Sequence, residues 1–238
     1  MYFQRMQIHR HSLLHGAAAC SGTAVIVDVF RAFTCSSILL HYGVERLVLE
    51  QDPGKALELK KNAGFLALGE IDGVMVPGFD FGNSPSEIAG AGKDFFRGKK
   101  IVQRTSAGVR GIFSAVENCK SVYAAGFTTA KAVAGLLKKE NPPQVHIVAM
   151  GHAGEFPTPE DEQCASYIQN LLDPASHYDH TSALAEILSH ESAQKFLRGD
   201  KGHFPPTDVT WCLQRDVFPF AMKVFTSPEG LELRAVKI

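Results

Sequence analysis

Six short, largely apolar runs recur through the first two thirds of the chain, at residues 23–27, 46–50, 65–68, 100–104, 121–125 and 145–150, and each gives way to Gly, Asp or Ser within two residues. Consecutive apolar residues put carbon on both faces of an extended segment, so such runs need cover on both sides, as the strands of parallel sheets have. Segments of helical character lie between them, at 34–42, 53–62, 107–118, 128–140 and 160–172. Pro53 and Pro159 stand where helices start, and Gly43 and Gly64 where they stop. The alternation predicts an α/β fold, a layered and mostly parallel sheet with flanking helices.

With 238 residues the chain suits a single domain, with residues 173–238 as a candidate C-terminal subdomain and two intertwined lobes as a variant arrangement. Residues 69–92 are rich in Gly and Pro and too long for a plain connection, which marks a functional or disordered loop. Beyond residue 173 the pattern loosens: 177–188 and 191–197 look helical, and 217–236 adds strands.

Function classes can be excluded on composition. A net charge of −1 leaves no electrostatic footprint for nucleic acid. Five cysteines, spaced far apart and without a C-x-x-C pair, predict reduced thiols in a cytoplasmic protein. The start lacks the apolar segment of a secretory signal, and Tyr2-Phe3-Gln4 reads as an added stretch ahead of a native start at Met6. The longest apolar stretch, around residues 25–49, is broken by Asp28, Arg31, His41, Glu45 and Arg46, so nothing spans a membrane.

In open α/β sheets ligands bind beyond the carboxyl ends of the strands, and on this fold those ends gather acids, arginines, hydroxyls and glycines on one rim. Asp28 closes the first run. A carboxylate beside a buried strand needs a cation, and Mg²⁺ prefers hard oxygen ligands; capping of the next helix or pairing with Arg31 is the plainer alternative. Glu160-Asp161-Glu162 opens a helix, where acids favour the dipole in any case; Glu160 or Asp161 can reach a metal, while Glu162 is left to solvent. Thr105, Ser106 and Gly108 form a turn into a helix, whose free N–H groups make an anion site. Arg104 in front of them can grip phosphate or sulfonate with two parallel bonds. Asn83 and Ser84 lie in a tight turn, His152 is a candidate proton donor, and His9, His11 and His15 suit a strand and loop better than a zinc site.

These segments resemble the 2-phosphosulfolactate phosphatase, or ComB, family. The resemblance runs through Val27-Asp28-Val29-Phe30-Arg31-Ala32, Gly69-Glu70, Phe79-Asp80-Phe81-Gly82-Asn83-Ser84-Pro85, Arg104-Thr105-Ser106-Ala107-Gly108, Ala124-Ala125-Gly126-Phe127 and Gly151–Gly154 leading to Glu160-Asp161 and Cys164-Ala165. It covers roughly residues 25–165, and the Phe-Asp-Phe-Gly-Asn-Ser-Pro string is its most specific part. It implies a Mg²⁺-dependent hydrolase that removes phosphate from (R)-2-phospho-3-sulfolactate, a step of coenzyme M biosynthesis in methanogens, on an α/β fold without a glycine-rich nucleotide loop. Two departures bear on the substrate: Ala107 and Val109 stand where the family usually has Asn and Thr, and Ala32-Phe33-Thr34-Cys35 replaces a run of threonines.

On this basis Asp28, Arg31 and Asp161 are the catalytic candidates, and Asp28, Glu70, Glu160 and Asp161 the Mg²⁺ ligands. Arg104, Thr105, Ser106, Gly108, Asn83 and Ser84 are the substrate contacts, for a small anionic phosphoester. Phe30 stands where an aspartyl-phosphate enzyme carries its second aspartate, which favours direct attack by water. A catalytically inactive binder of a phosphorylated or sulfonated metabolite is the alternative, and a homodimer stays open.

Overall fold

The computed structural model describes residues 6–238, so the stretch Tyr2-Phe3-Gln4 lies outside the described residues. Its strands are β1 (Gln7–Ser12), β2 (Gly22–Val27), β3 (Arg46–Leu49), β4 (Leu66–Ile71), β5 (Val74–Met75), β6 (Lys100–Arg104), β7 (Cys119–Ala125), β8 (Gln144–Ala149), β9 (Phe220–Ser227) and β10 (Gly230–Lys237). The helices are α1 (Leu13–Ala18), α2 (Ala32–Tyr42), α3 (Pro53–Ala63), α4 (Pro85–Ala91), α5 (Lys93–Phe96), α6 (Gly108–Val116), α7 (Ala130–Glu140), α8 (Pro159–Leu172), α9 (His180–Ser189), α10 (Glu191–Leu197) and α11 (Thr207–Cys212).

The strands form one ten-stranded sheet in the order β1-β8-β2-β7-β9-β10-β3-β6-β4-β5. The block β1-β8-β2-β7 is parallel throughout, and so is β3-β6-β4. Between them the hairpin β9–β10 pairs antiparallel with β7 on one side and β3 on the other. Three antiparallel steps in succession mean that the two parallel blocks run in opposite directions. The expected single rim of a parallel sheet is therefore two rims, brought together by the chain leaving β6.

Why β2 is apolar from Ala24 to Val27 is visible in its two faces. Ala24 and Ile26 pack into a core with Phe33 and Leu39 of α2 and Ile112 of α6, while Val25 and Val27 pack into a second core with α7 and α8. A strand covered on both faces by helices has no position at which a polar side chain meets water. Pro53 and Pro159 open their helices, and α2 and α3 end at Gly43 and Gly64 in the left-handed region, as the sequence predicts.

Residues 69–92 are more ordered than expected. The chain turns back from β4 into β5, then enters α4, where Ser84 caps the helix by accepting the Glu87 N–H at 3.3 Å and Pro85 occupies the first turn. The tail makes α9 to α11 and the β9–β10 hairpin. No helix of the described residues is long and apolar enough to cross a membrane.

Candidate active site

Asp28 follows β2 directly. Its Oδ2 accepts the Gly108 N–H at 2.9 Å and its Oδ1 the Ala32 N–H at 3.3 Å. Asp161, in the first turn of α8, is held the same way: Val29 N–H donates to Oδ1 at 2.7 Å and Gly151 N–H to Oδ2 at 2.8 Å. Two of these four donors are glycines for steric reasons. A Cβ on Gly108 would lie 2.7 Å from Asp28 Oδ2, and one on Gly151, whose φ is +65°, would strike the Phe156 carbonyl. The turns that looked like generic glycine punctuation are the points where backbone approaches the two aspartates.

Glu70, at the end of β4, accepts the Ser106 N–H at 2.7 Å on Oε1, and the Gly73 N–H at 2.6 Å and Ser106 hydroxyl at 3.2 Å on Oε2. Glu160 accepts the Ser192 hydroxyl at 2.6 Å. All four acids line one cavity of about 60 Å³, room for a few waters or one small ionic group. Each of the four is less than a tenth exposed.

Burial is the main force on these groups. It pushes Asp28 up to about 7, with Glu70 and Glu160 adding repulsion and the Gly108 and Ala32 amides opposing it. Asp161 is likewise raised well above the carboxylate range by burial and then by Asp28 and Glu160, against the two amides it accepts from. Amides aimed at all four aspartate oxygens favour the ionised form, while burial and crowding disfavour it.

Two cations face the acids. Arg31 is buried; its Nη1 donates to Asp208 Oδ2 at 2.8 Å and to the His203 carbonyl at 2.9 Å, and its Nη2 to the Gly73 carbonyl at 3.1 Å. Asp208 is fixed in turn by the Ser84 hydroxyl at 2.9 Å and by the Ser86 N–H and hydroxyl at 3.0 and 2.6 Å. Arg31 thus pairs with Asp208 and not with Asp28. Lys195 of α10 also lines the cavity, its ammonium 5.1 Å from the Phe204 ring centre; burial is the largest influence on it and lowers its pKa, with Glu160 opposing.

The remaining candidates are placed as follows. Asn83, Thr105, Ser106 and His152 line the cavity. The Ser106 and Gly108 amides, expected to bind a substrate anion, hold Glu70 and Asp28 instead, because the site's own carboxylates fill the positive start of α6. Arg104 does not line the cavity; it donates to the Glu70 carbonyl, to Ser106 Oγ at 3.0 Å and to the Gln51 carbonyl at 3.2 Å, bracing the loop. Ser84 acts on Asp208. Of the two unusual residues after Ser106, Ala107 lines the cavity, but Val109 is fully buried in the core, so its lost hydroxyl is no loss to the site. Glu162, expected in solvent, takes an ion pair from Arg10 at 2.8 Å and the Ser12 hydroxyl, which ties β1 to α8.

Asp208, Ser192 and Lys195 were missed from sequence. Ser192 and Lys195 stand on α10, which lines the cavity with its Phe196 and with Phe204, whereas Asp208 on α11 lies behind Arg31 and does not line it.

Comparison with known proteins finds relatives along most of the chain. The family described as 2-phosphosulpholactate phosphatase matches residues 8–225. A Bacillus subtilis (strain 168) protein named "Probable 2-phosphosulfolactate phosphatase" is 30% identical over 221 residues, spanning 92% of this chain and 91% of its own. A Clostridium acetobutylicum protein of the same name is 33% identical over 209 residues, 82% of this chain and 86% of its own. One from Carboxydothermus hydrogenoformans is 36% identical over 149 residues, 62% of this chain and 59% of its own.

Proposed function

The chain belongs to the 2-phosphosulfolactate phosphatase family, and from that premise we propose that it hydrolyses (R)-2-phospho-3-sulfolactate, or a closely related 2-phospho acid, to the 2-hydroxy acid and phosphate with the help of Mg²⁺. The observation that carries this is the cavity itself: four buried carboxylates face two cations in a space of about 60 Å³. A substrate bearing phosphate, carboxylate and sulfonate is repelled by such a wall unless a divalent cation enters with it.

The donor set suits Mg²⁺. The oxygens are hard, and no three of these carboxylates bring one oxygen each within 4.8 Å of one another among the described residues. Mg²⁺ commonly takes one or two carboxylates and keeps water in its other positions. Asp28 and Asp161 would hold the ion, with Glu70 and Glu160 beside them. Mg²⁺ bound there would supply positive charge to the phosphate oxygens and let both aspartates stay ionised.

The protein's own groups do the rest. Arg31, held by three hydrogen bonds, offers a fixed charge to the phosphoryl oxygens as negative charge builds on them. Lys195, poorly solvated where it stands, gains most from an anion and takes the carboxylate or sulfonate end. Phe196 and Phe204 exclude water around both cations. Phe30 places no acid two residues after Asp28, so a covalent route through Asp28 lacks a proton donor there. Water then attacks phosphorus in line, forming one P–O bond as the bond to the substrate's 2-oxygen breaks, and the proton that water gives up is balanced by the one that makes the departing 2-oxygen a hydroxyl.

Phosphate release from 2-phosphosulfolactate, with and without Mg²⁺, against 2-phosphoglycolate and 2-phospholactate, tests the proposal. Fast Mg²⁺-dependent release from the sulfonated compound alone is expected. Release only from the other esters would keep the chemistry and overturn the substrate. No release, with tight binding of a phosphorylated or sulfonated acid, would make the protein a binder.

A further inference from the structure

Away from the acidic cavity, His11 on β1, His146 on β8 and Cys20 after α1 each bring one ligand atom to within 4.8 Å of the others. The sequence suggests no such site, because the three residues lie far apart in the chain and only the parallel pairing of β1 with β8 gathers them. Residues 9 and 146 are register partners, and His146 stacks between His9 at 4.9 Å and His11 at 5.1 Å.

His146 is only 7% exposed. Its Nδ1 lies 2.9 Å from His11 Nε2; its Nε2, on the other side of the ring, is buried without a hydrogen-bond partner among the described residues and takes no part in the site. Two imidazoles facing each other can share at most one proton between them, whereas both can give lone pairs to a cation. Cys20 supplies the soft third donor; its thiol otherwise bonds the Gly16 carbonyl at 3.2 Å.

We infer that His11, Cys20 and His146 form a second metal site that takes a borderline-soft transition cation, of which Zn²⁺ fits best. Two nitrogens and one sulfur are the donors that Zn²⁺ selects over Mg²⁺, with water in the fourth tetrahedral position. The site's role is structural. It clamps β1 to β8 and to the end of α1, and the Leu14 N–H of α1 donates to the Gly154 carbonyl at 3.0 Å, in the loop that ends at the cavity.

The test is Co²⁺ and Zn²⁺ titration of the chelator-stripped full chain under a reductant that does not bind metal. One equivalent of Co²⁺ should bind with thiolate charge-transfer absorption and tetrahedral bands. Cys20→Ser should lose the charge-transfer band and weaken Zn²⁺ by about tenfold or more, and His11→Gln, at the half-exposed edge, should weaken it similarly. Asp28→Asn should leave the band in place, and Cys20→Ser should leave Mg²⁺-supported phosphate release unchanged. No saturable binding, a band that survives in Cys20→Ser, or one that disappears in Asp28→Asn would each overturn the inference.

Discussion

Asp28 at the end of β2 and Asp161 in the first turn of α8 have both oxygens tied to backbone amides, whereas Arg31 and Lys195 across the cavity owe their positions to side chains and helices of the last third of the chain. The acids are fixed by main-chain geometry that a single side-chain change leaves intact. The cations depend on a buried ion pair and two aromatic rings. The acidic half is therefore expected to fail chemically when altered, and the cationic half to fail by losing position.

Four predictions sharpen that contrast. Asp161→Asn, which keeps the size of the side chain and removes its charge, should lower kcat by about a thousandfold with normal thermal unfolding. A melting point far below that of the wild type would show that this half, too, is mainly structural. Asp208→Ala leaves Arg31 buried without its partner, so a loss of roughly 3–5 kcal/mol in denaturant unfolding is expected along with a fall in activity. Lys195→Met, near in volume, should raise KM by about tenfold and change kcat little if the ammonium binds the substrate's remote anion. An equal fall in kcat would move Lys195 to the phosphoryl group.

The smallest effect is in pH. In the unfolded chain Asp28 titrates at an ordinary value near 4, and in the folded, metal-free protein at about 7. Between those values the folded chain holds the extra proton, so stability is greatest on the acid side and falls as pH rises through about 7. Melting curves in chelator should show that decline, Asp28→Asn should flatten it, and Mg²⁺ should offset it at the alkaline end. A slope unchanged by Asp28→Asn would place the titration elsewhere.

How much of this was legible beforehand follows from how each group is held. β2 and Asp28 were readable because a fully apolar run ending in a carboxylate is a local pattern, and Asp161 because it follows a strand-end loop. Asp208 and Lys195 were not, since their partners lie far away; Asp208 meets Arg31 across 177 positions and no motif surrounds either residue. Glu162 looked solvated because Arg10 is 152 residues away. The start of α6 was read as a site for a substrate anion, and sequence cannot tell that the protein's own Glu70 and Asp28 take its amides. β1 showed only as the strand-like spacing of His9 and His11, because it lies at the sheet edge, where polar side chains such as His9, Arg10 and His11 are admitted.

The most direct test of the account is single-turnover phosphate release from 2-phosphosulfolactate by wild type and Asp28→Asn side by side in saturating Mg²⁺, with circular dichroism on both. The account predicts rapid release by the wild type and, from a folded variant, a rate on the order of a thousandfold lower. Release by folded Asp28→Asn at the wild-type rate would contradict it.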